Sequence, residues 1–245
     1  MSVVQHKSAV ARSANASVTL DSPVTQGNLI AVVVGCSNPG FPSTVSDGVN
    51  SYNLDVQGVD SADGIALVQI LSAIASESGT LTVTATAVNN EDVHLHVYEI
   101  SGYTALDRTG NLSHLSVDDQ LFETGTSFSI STGKPTNADN ELVLAAFFDI
   151  NSTPTVFTGE AGSVSEQTDS LTGTGGEVFS EAFEVSSIGM QTATATTNSF
   201  GDVTAAAIAT YYTPGPATAT GDDAPRYHGK RRHTKPPART FRRAA

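Results

Sequence analysis

The segment Gly27-Asn28-Leu29-Ile30-Ala31-Val32-Val33-Val34-Gly35 limits the fold more than any other stretch of the chain. Its apolar run, rich in β-branched residues and bracketed by turn formers, is too short for a helix and has the wrong composition for one. A strand without a polar face has to be covered on both sides. The expectation is a central, doubly buried strand, with the rest of the chain supplying the layers above and below it.

That rest reads as strands. Residues 3–10 and 17–20 open the chain, 65–71 form a second apolar strand, and 80–87 alternate threonine with aliphatic residues at a period of two. Residues 92–100 place Val93, Leu95 and Val97 on one face and His94, His96 and Tyr98 on the other, which reads as an outer, exposed face. Further strands are expected at 127–130, 141–148, 163–169, 178–185, 191–197 and 203–212. Residues 45–59 read as a hairpin about Asp47-Gly48-Val49-Asn50. Residues 37–42 read as an irregular loop, and 101–125 as a loop of about two dozen residues. The count of about a dozen strands exceeds what an immunoglobulin domain needs and suits an all-β, jelly-roll-like antiparallel β-sandwich.

The two halves of the chain echo each other. Thr82-x-Thr84-Ala85-Thr86 and Asp92-Val93 recur as Thr192-x-Thr194-Ala195-Thr196 and Asp202-Val203, with Ser17 and Ser127 at the same spacing. Leu29-Ile30-Ala31-Val32 matches Leu142-Val143-Leu144-Ala145 after a three-residue insertion. A pseudo-twofold repeat of one sandwich unit follows as an expectation.

Charge is segregated. Residues 1–220 carry 23 acidic and 4 basic side chains, a net of −19, whereas 221–245 carry 2 acidic and 8 basic, a net of +6. The acidic, lysine-poor body favours solubility and fits a high-salt setting. The composition therefore divides the chain into a sandwich, 1–212, and a Pro/Gly linker with a basic C-terminal arm, 213–245. In that arm Arg226, Tyr227, Lys230, Arg231, Arg232, Lys235, Arg239, Phe241, Arg242 and Arg243 are the candidate partner-binding residues. Arginine forks bind carboxylate or phosphate, and the aromatics anchor contacts that survive salt. Extended at about 3.3 Å per residue, the arm reaches roughly 100 Å, enough to dock across a neighbouring subunit. Nucleic acid is the less favoured partner, because the acidic body opposes its close approach.

Signals for chemistry are sparse. His94 and His96, two apart on one strand, are the weak candidates for a metal site, but Glu99 points to the opposite face and the glycines and second motif of a metal-binding cupin are absent. Asp60-Ser61-Ala62-Asp63-Gly64 lacks the later ligands of a calcium loop and reads as a turn. Cys36, the only cysteine, directly follows the apolar strand and is expected to be a buried, inert thiol. No phosphate-binding loop, dinucleotide fingerprint or nucleophile elbow is present. A sugar site would have to rely on the six tyrosines, since there is no tryptophan. No catalytic residue, metal or cofactor is assigned, and the expectation is a protein that is not an enzyme. The N-terminus lacks the apolar core of a signal peptide, and no apolar run approaches the ~20 residues of a membrane span.

With Val4-Gln5, Gly27 to Val34, Val45-Ser46-Asp47-Gly48-Val49-Asn50-Ser51-Tyr52, Val97-Tyr98-Glu99-Ile100-Ser101-Gly102, Leu106-Asp107 and Asn140-Glu141-Leu142 in view, the chain resembles a family of jelly-roll-like β-sandwich domains. These domains recur in virion proteins of tailed viruses of bacteria and archaea, and in secreted bacterial modular proteins. The resemblance covers residues 3–212 and brings no catalytic residues with it; the basic arm departs from the family pattern. It implies a virion structural protein made in the host cytoplasm and displayed on the particle surface as a capsid decoration or turret. Its implied partners are the major capsid protein or other virion subunits, further copies of itself in a homo-oligomer, and a host-surface glycan. A tail-fibre or minor tail protein used in host attachment, or a carbohydrate-binding or adhesion module, are the alternative expectations.

Overall fold

Alternation at period two accounts for nearly every element of the computed structural model, which describes residues 2–12, 15–37, 44–60, 66–86, 92–113, 123–149, 156–169, 171 and 176–214. Among these residues there is no helix, and all strand pairing is antiparallel. The first half contains β1 (Ser2–Arg12), β2 (Ala16–Thr19), β3 (Leu29–Ser37), β4 (Thr44–Ser46), β5 (Asn53–Asp60), β6 (Ala66–Ile74), β7 (Thr82–Thr86) and β8 (Asp92–Ser101). They form a five-stranded sheet, β1-β8-β3-β6-β5, and a three-stranded sheet, β2-β7-β4.

The second half contains β9 (Ala105–Ser113), β10 (Glu123–Ser131), β11 (Glu141–Asp149), β12 (Phe157–Thr158), β13 (Val164–Asp169), β14 (Glu177–Val185) and β15 (Thr192–Tyr212). Here β15 does the work of both β7 and β8. Its first part pairs with β10 and β12, and its second part with β11 and β9, so that one long strand joins two layers into a single hydrogen-bonded sheet. The orders β9-β15-β11-β14-β13 and β10-β15-β12 repeat those of the first half strand for strand. The expected pseudo-twofold repeat is therefore present in the topology. Leu29 opposes Ile74 and Ile100 as Leu142 opposes Glu184 and Tyr211, consistent with the three-residue insertion. One equivalence shifts: Thr84 pairs with Ser17, whereas Thr194 pairs with Ser129, so Ser129 and not Ser127 is the counterpart of Ser17.

The result is a four-layer jelly-roll-like sandwich. On β3, Ile30, Val32 and Val34 face β2 and β7, in a cluster with Val18, Leu81, Val83, Val93, Leu95 and Val97. Leu29, Ala31 and Val33 face the other way, against Leu142, Leu144, Ala146 and Phe148 of the second half. The expected doubly buried strand is thus covered by its own three-stranded sheet on one side and by the second half on the other. On β11 the same alternation sends Val143, Ala145 and Phe147 into a cluster with Phe128, Phe157 and Phe179. The two five-stranded sheets meet with β1 over β13 and β9 over β5, the reciprocal pairing that a twofold axis requires.

Small residues let this seam close. A Cβ on Gly35 would stand 2.3 Å from Val178 Cγ2, and one on Gly58 would stand 2.3 Å from the carbonyl oxygen of Ala206. Ala205, Ala207 and Ala209 line the same face.

Two expectations need correction. Residues 45–59 are not a hairpin, because β4 pairs with β7 while β5 pairs with β6, so the chain crosses between sheets. The turn itself is as expected: Asp47 Oδ1 accepts the Val49 and Asn50 amides at 2.8 and 2.7 Å, and Oδ2 accepts Tyr52 Oη at 2.9 Å. Residues 101–125 are not one loop, since β9 occupies most of their first half. Residues 38–43 and 61–65, which include most of the two remaining loops, lie outside the described residues.

Gly58→Val should cost about 3 kcal/mol or more, because a backbone carbonyl cannot yield to the new side chain. Gly133→Ala, whose Cβ would meet nothing closer than Thr109 O at 3.6 Å, should stay within about 0.5 kcal/mol. Urea unfolding of both variants measures the difference.

Candidate functional site

The polar residues that the structure brings together lie at the seam. On β8, Val93, Leu95 and Val97 enter the core of the first half, and His94, His96 and Tyr98 point at the second half. The expectation of an outer, exposed histidine face is therefore wrong: His94, His96 and Tyr98 are completely buried. Strand parity shows which residues share a face, but not that another sheet covers it.

A continuous hydrogen-bonded chain runs through this site. His94 Nδ1 is 2.9 Å from Thr168 Oγ1, and the same hydroxyl is 2.8 Å from His96 Nε2. His96 Nδ1 is 2.6 Å from Ser180 Oγ, which is 2.7 Å from Tyr98 Oη. One proton order satisfies every contact with all groups neutral. Tyr98 donates to Ser180, Ser180 to His96 Nδ1, His96 Nε2–H to Thr168, and Thr168 to His94 Nδ1. His94 Nε2 then carries a hydrogen with no partner; the His94 and Phe148 rings stand edge to face with centroids 6.1 Å apart.

Burial pushes both imidazoles towards neutrality, His94 down to about 4 against the opposing pull of Asp92, and His96 down to about 3 with His94 adding to the effect. Burial likewise raises the Tyr98 hydroxyl far above its ordinary range. The hydroxyls of Thr168 and Ser180 thus occupy three of the four imidazole nitrogens. Among the described residues no group of three His, Cys, Asp or Glu side chains is placed to hold a metal ion. At the rim, His6 Nδ1 meets Glu166 Oε1 at 2.5 Å and stacks on Tyr98, and Ser8 donates to the other Glu166 oxygen at 2.6 Å.

Scattered motif residues converge on Glu99, which faces away from the seam. Its carboxylate accepts Gln5 Nε2 at 2.6 Å, the Thr25 amide at 2.8 Å and Asn28 Nδ2 at 2.7 Å. Three segments quoted for the family resemblance are therefore joined by one buried acceptor. At the corresponding place in the second half, Asp107 accepts the Asn137 amide at 2.5 Å and its side-chain nitrogen at 2.7 Å. Glu141 stands beside it, and burial together with Asp107 pushes its carboxyl up to about 7. On β14, burial pushes Glu181 up to about 7 as well, although the Glu160 amide donates to it at 2.7 Å.

Two grooves, invisible in the sequence because each is built from both halves, lie at opposite edges of the seam. One, of about 370 Å³, is lined by Leu29, Leu54, Ile74, Thr104 and Leu106, with Asp55 leading into a second depression beside Asp107, Arg108 and Lys134. The other, of about 410 Å³, is lined by Val3, Leu142, Val164, Phe183, Glu160 and Glu184. They are pseudo-twofold counterparts: Leu142 stands where Leu29 does, Val164 where Asn53 does, and Glu184 where Ile74 does.

Cys36 is buried, as expected. Of the six tyrosines, Tyr98, Tyr103 and Tyr211 are buried and Tyr52 and Tyr212 half-buried, which leaves them poor platforms for stacking a sugar. Tyr227 and the other arm candidates, from Arg226 to Arg243, lie outside the described residues. No family model matches the chain, and neither the curated proteins nor the solved structures yield a match.

The site predicts two opposing pH dependences. Neutral imidazoles in the fold against ordinary ones in the unfolded chain, near 6.5, mean that the unfolded chain binds more protons between about pH 4 and 6.5. Stability should fall through that window on acidification. His94→Asn/His96→Asn should be less stable at pH 7 yet show a shallower decline. Glu181 works the other way: its raised folded value favours the fold below pH 4.5 and loses that advantage as pH rises through 7. Glu181→Gln should therefore gain roughly 1–2 kcal/mol at pH 8 relative to pH 4.5, read from urea unfolding at both pH values.

Proposed function

We propose that the chain is a non-enzymatic structural protein of a tailed-virus particle, a capsid decoration or turret protein. In this reading the sandwich faces outward and the basic C-terminal arm docks on neighbouring subunits of the particle, such as the major capsid protein. The observation that carries it is the charge segregation, −19 up to residue 220 and +6 beyond it. Such an arrangement separates a self-repelling exposed body from a segment suited to an acidic surface. The family resemblance supports the same reading. The sandwich adds a consistent element, because His94, His96 and Tyr98 are buried between the two halves and bonded there to Thr168 and Ser180.

Co-sedimentation with particles lacking the protein tests the proposal. Full-length protein should pellet with them, and the variant Arg231→Ser/Arg232→Ser/Arg242→Ser/Arg243→Ser should lose at least tenfold in affinity, with a marked salt dependence for the parent. Immunogold labelling then separates a head from a tail-fibre or minor tail location. Equal binding by the variant would remove the arm as the anchor.

A further inference from the structure

The pseudo-twofold relation places Glu141 where the first half has Asn28, each directly before one of the equivalent leucines, Leu142 and Leu29. In the first half Asn28 donates from its side-chain nitrogen to the Glu99 carboxylate at 2.7 Å. The second half puts a carboxyl at the donor's position, and it too faces a carboxylate, that of Asp107. Glu141 is completely buried, and neither of its oxygens finds a donor in ordinary hydrogen-bond geometry. The Asp107 side chain is itself only 3% exposed. Two carboxylates held in contact away from water cannot both stay ionised, and one retained proton turns their repulsion into a hydrogen bond. Burial and Asp107 raise Glu141, whereas Asp107, against the effect of its burial, is held below the usual carboxylate range by its bonds from Asn137 and by Arg108. A protonated Glu141 would donate to Asp107 as Asn28 donates to Glu99.

The same pair fastens the connection between β10 and β11, residues 132–140. Asp107 accepts the Asn137 amide and side-chain nitrogen at 2.5 and 2.7 Å, and Arg108 donates to Pro135 O at 2.8 Å and to Asn137 Oδ1 at 2.6 Å. The Gly133 amide reaches Thr109 O at 3.0 Å. Asn140 ends the connection at a φ of 56°, a left-handed conformation that a residue with a side chain keeps only where its surroundings impose it. Gly133 and Lys134 form one wall of the depression that Asp55, Asp107 and Arg108 also line. Around Glu141 stand Asp107 and Arg108 of β9, Thr210 of β15, the uncharged Val185 opposite it on β14 and the Ala138 amide of the connection, with Lys134 and Asp55 in the depression beside Asp107. One guanidinium, that of Arg108 with Nη1 3.5 Å from Asp107 Oδ1, faces the pair, so ionising both carboxyls leaves a negative charge in excess.

We propose that Asp107 and Glu141 share one proton and that this proton latches the 132–140 connection. While it is held, Asp107 stays in place under Asn137; when it is lost to water the two carboxylates repel, the Asn137 bonds yield, and the wall of Gly133 and Lys134 moves off the depression. Glu141, its carboxyl pushed up to about 7 by burial and by Asp107, holds the proton below that pH and releases it above. The depression is therefore closed on the acidic side of neutrality and open on the alkaline side.

Amide hydrogen exchange of the full-length protein from about pH 5.5 to about pH 9, followed by NMR and corrected at each pH for the rate of an unstructured chain, provides the test. Protection of the Asn137 amide should fall on the order of tenfold as pH rises through neutrality, while the Val32 and Leu144 amides of the core strands change little. Glu141→Gln supplies a permanent donor, as Asn28 does, and should keep Asn137 protected to the top of the range. Asp107→Asn retains an acceptor for the Asn137 amide and removes the second charge, so it should stay closed as well; either variant suffices if the other fails to fold. The carboxyl carbon of Glu141 should titrate near neutrality in the parent and lower in Asp107→Asn. Protection of Asn137 that is flat across the range in the parent overturns the proposal, as does a fall that persists in either variant. A Glu141 carboxyl that titrates in the ordinary carboxylate range overturns the shared proton itself.

Discussion

The seam between the two five-stranded sheets is the constraint on which the rest of the structure depends. Each half has its own smaller core beneath a three-stranded sheet, but β3 and β11 are apolar on both faces, and neither half alone can cover the second face. Burial of that face by the other half removes Leu29, Val33, Leu144, Phe148 and their neighbours from water at about 25 cal/mol per Å². The same closure makes a polar group on it costly unless it finds a partner inside. Thr168 and Ser180 supply one for three of the four nitrogens of the β8 histidines, and Asp55 does so for Tyr211, whose hydroxyl it accepts at 2.6 Å.

Symmetry sets the frame of this seam, and side-chain size breaks it. Where β8 presents His94, His96 and Tyr98, the equivalent part of β15 presents Ala205, Ala207 and Ala209. The bulky row meets hydroxyl-bearing positions on β13 and β14, while the alanine row allows the backbone of β5 to approach closely at Gly58. Two sequence-equivalent faces thus make one tall and one tight contact. A core of near-crystalline packing density accommodates such a pairing only when the large and small residues are matched across it.

Much of this was legible in the sequence, for identifiable reasons. The threonine and aliphatic alternation of Thr82 to Thr86, the apolar run of β3 and the recurrence of Thr-x-Thr-Ala-Thr all reflect periods and repeats that local composition carries directly. Strand β9 escaped because Ala-Leu-Asp-Arg-Thr-Gly-Asn-Leu-Ser has no clean alternation; pairing with β15 on one side and packing against β5 hold it in place. The Asp47 turn looks like a hairpin tip because its side-chain bonds are local, whereas the sheet that each flanking strand joins is decided by distant partners. The histidine face and the two grooves depend on what lies opposite them, which residue spacing does not encode. Glu99 is an intermediate case: its partners Gln5 and Asn28 stood out in the sequence one by one, but only the fold shows that they serve a single carboxylate.

The broken symmetry of the seam also bears on how the chain is made. Residues 2–101 leave the ribosome before their covering half exists, and during that interval the face that carries Leu29, Val33, His94, His96 and Tyr98 is open to other nascent chains. Two such first halves meeting face to face would set imidazole and phenol rows against Ile70 and Gly58, the counterparts of Ser180 and Thr168, where no hydroxyl waits to receive them. The three residues between β8 and β9 then deliver the correct cover at high effective concentration. Until the second half folds over it, the polar row is without the hydroxyls that receive it in the finished fold.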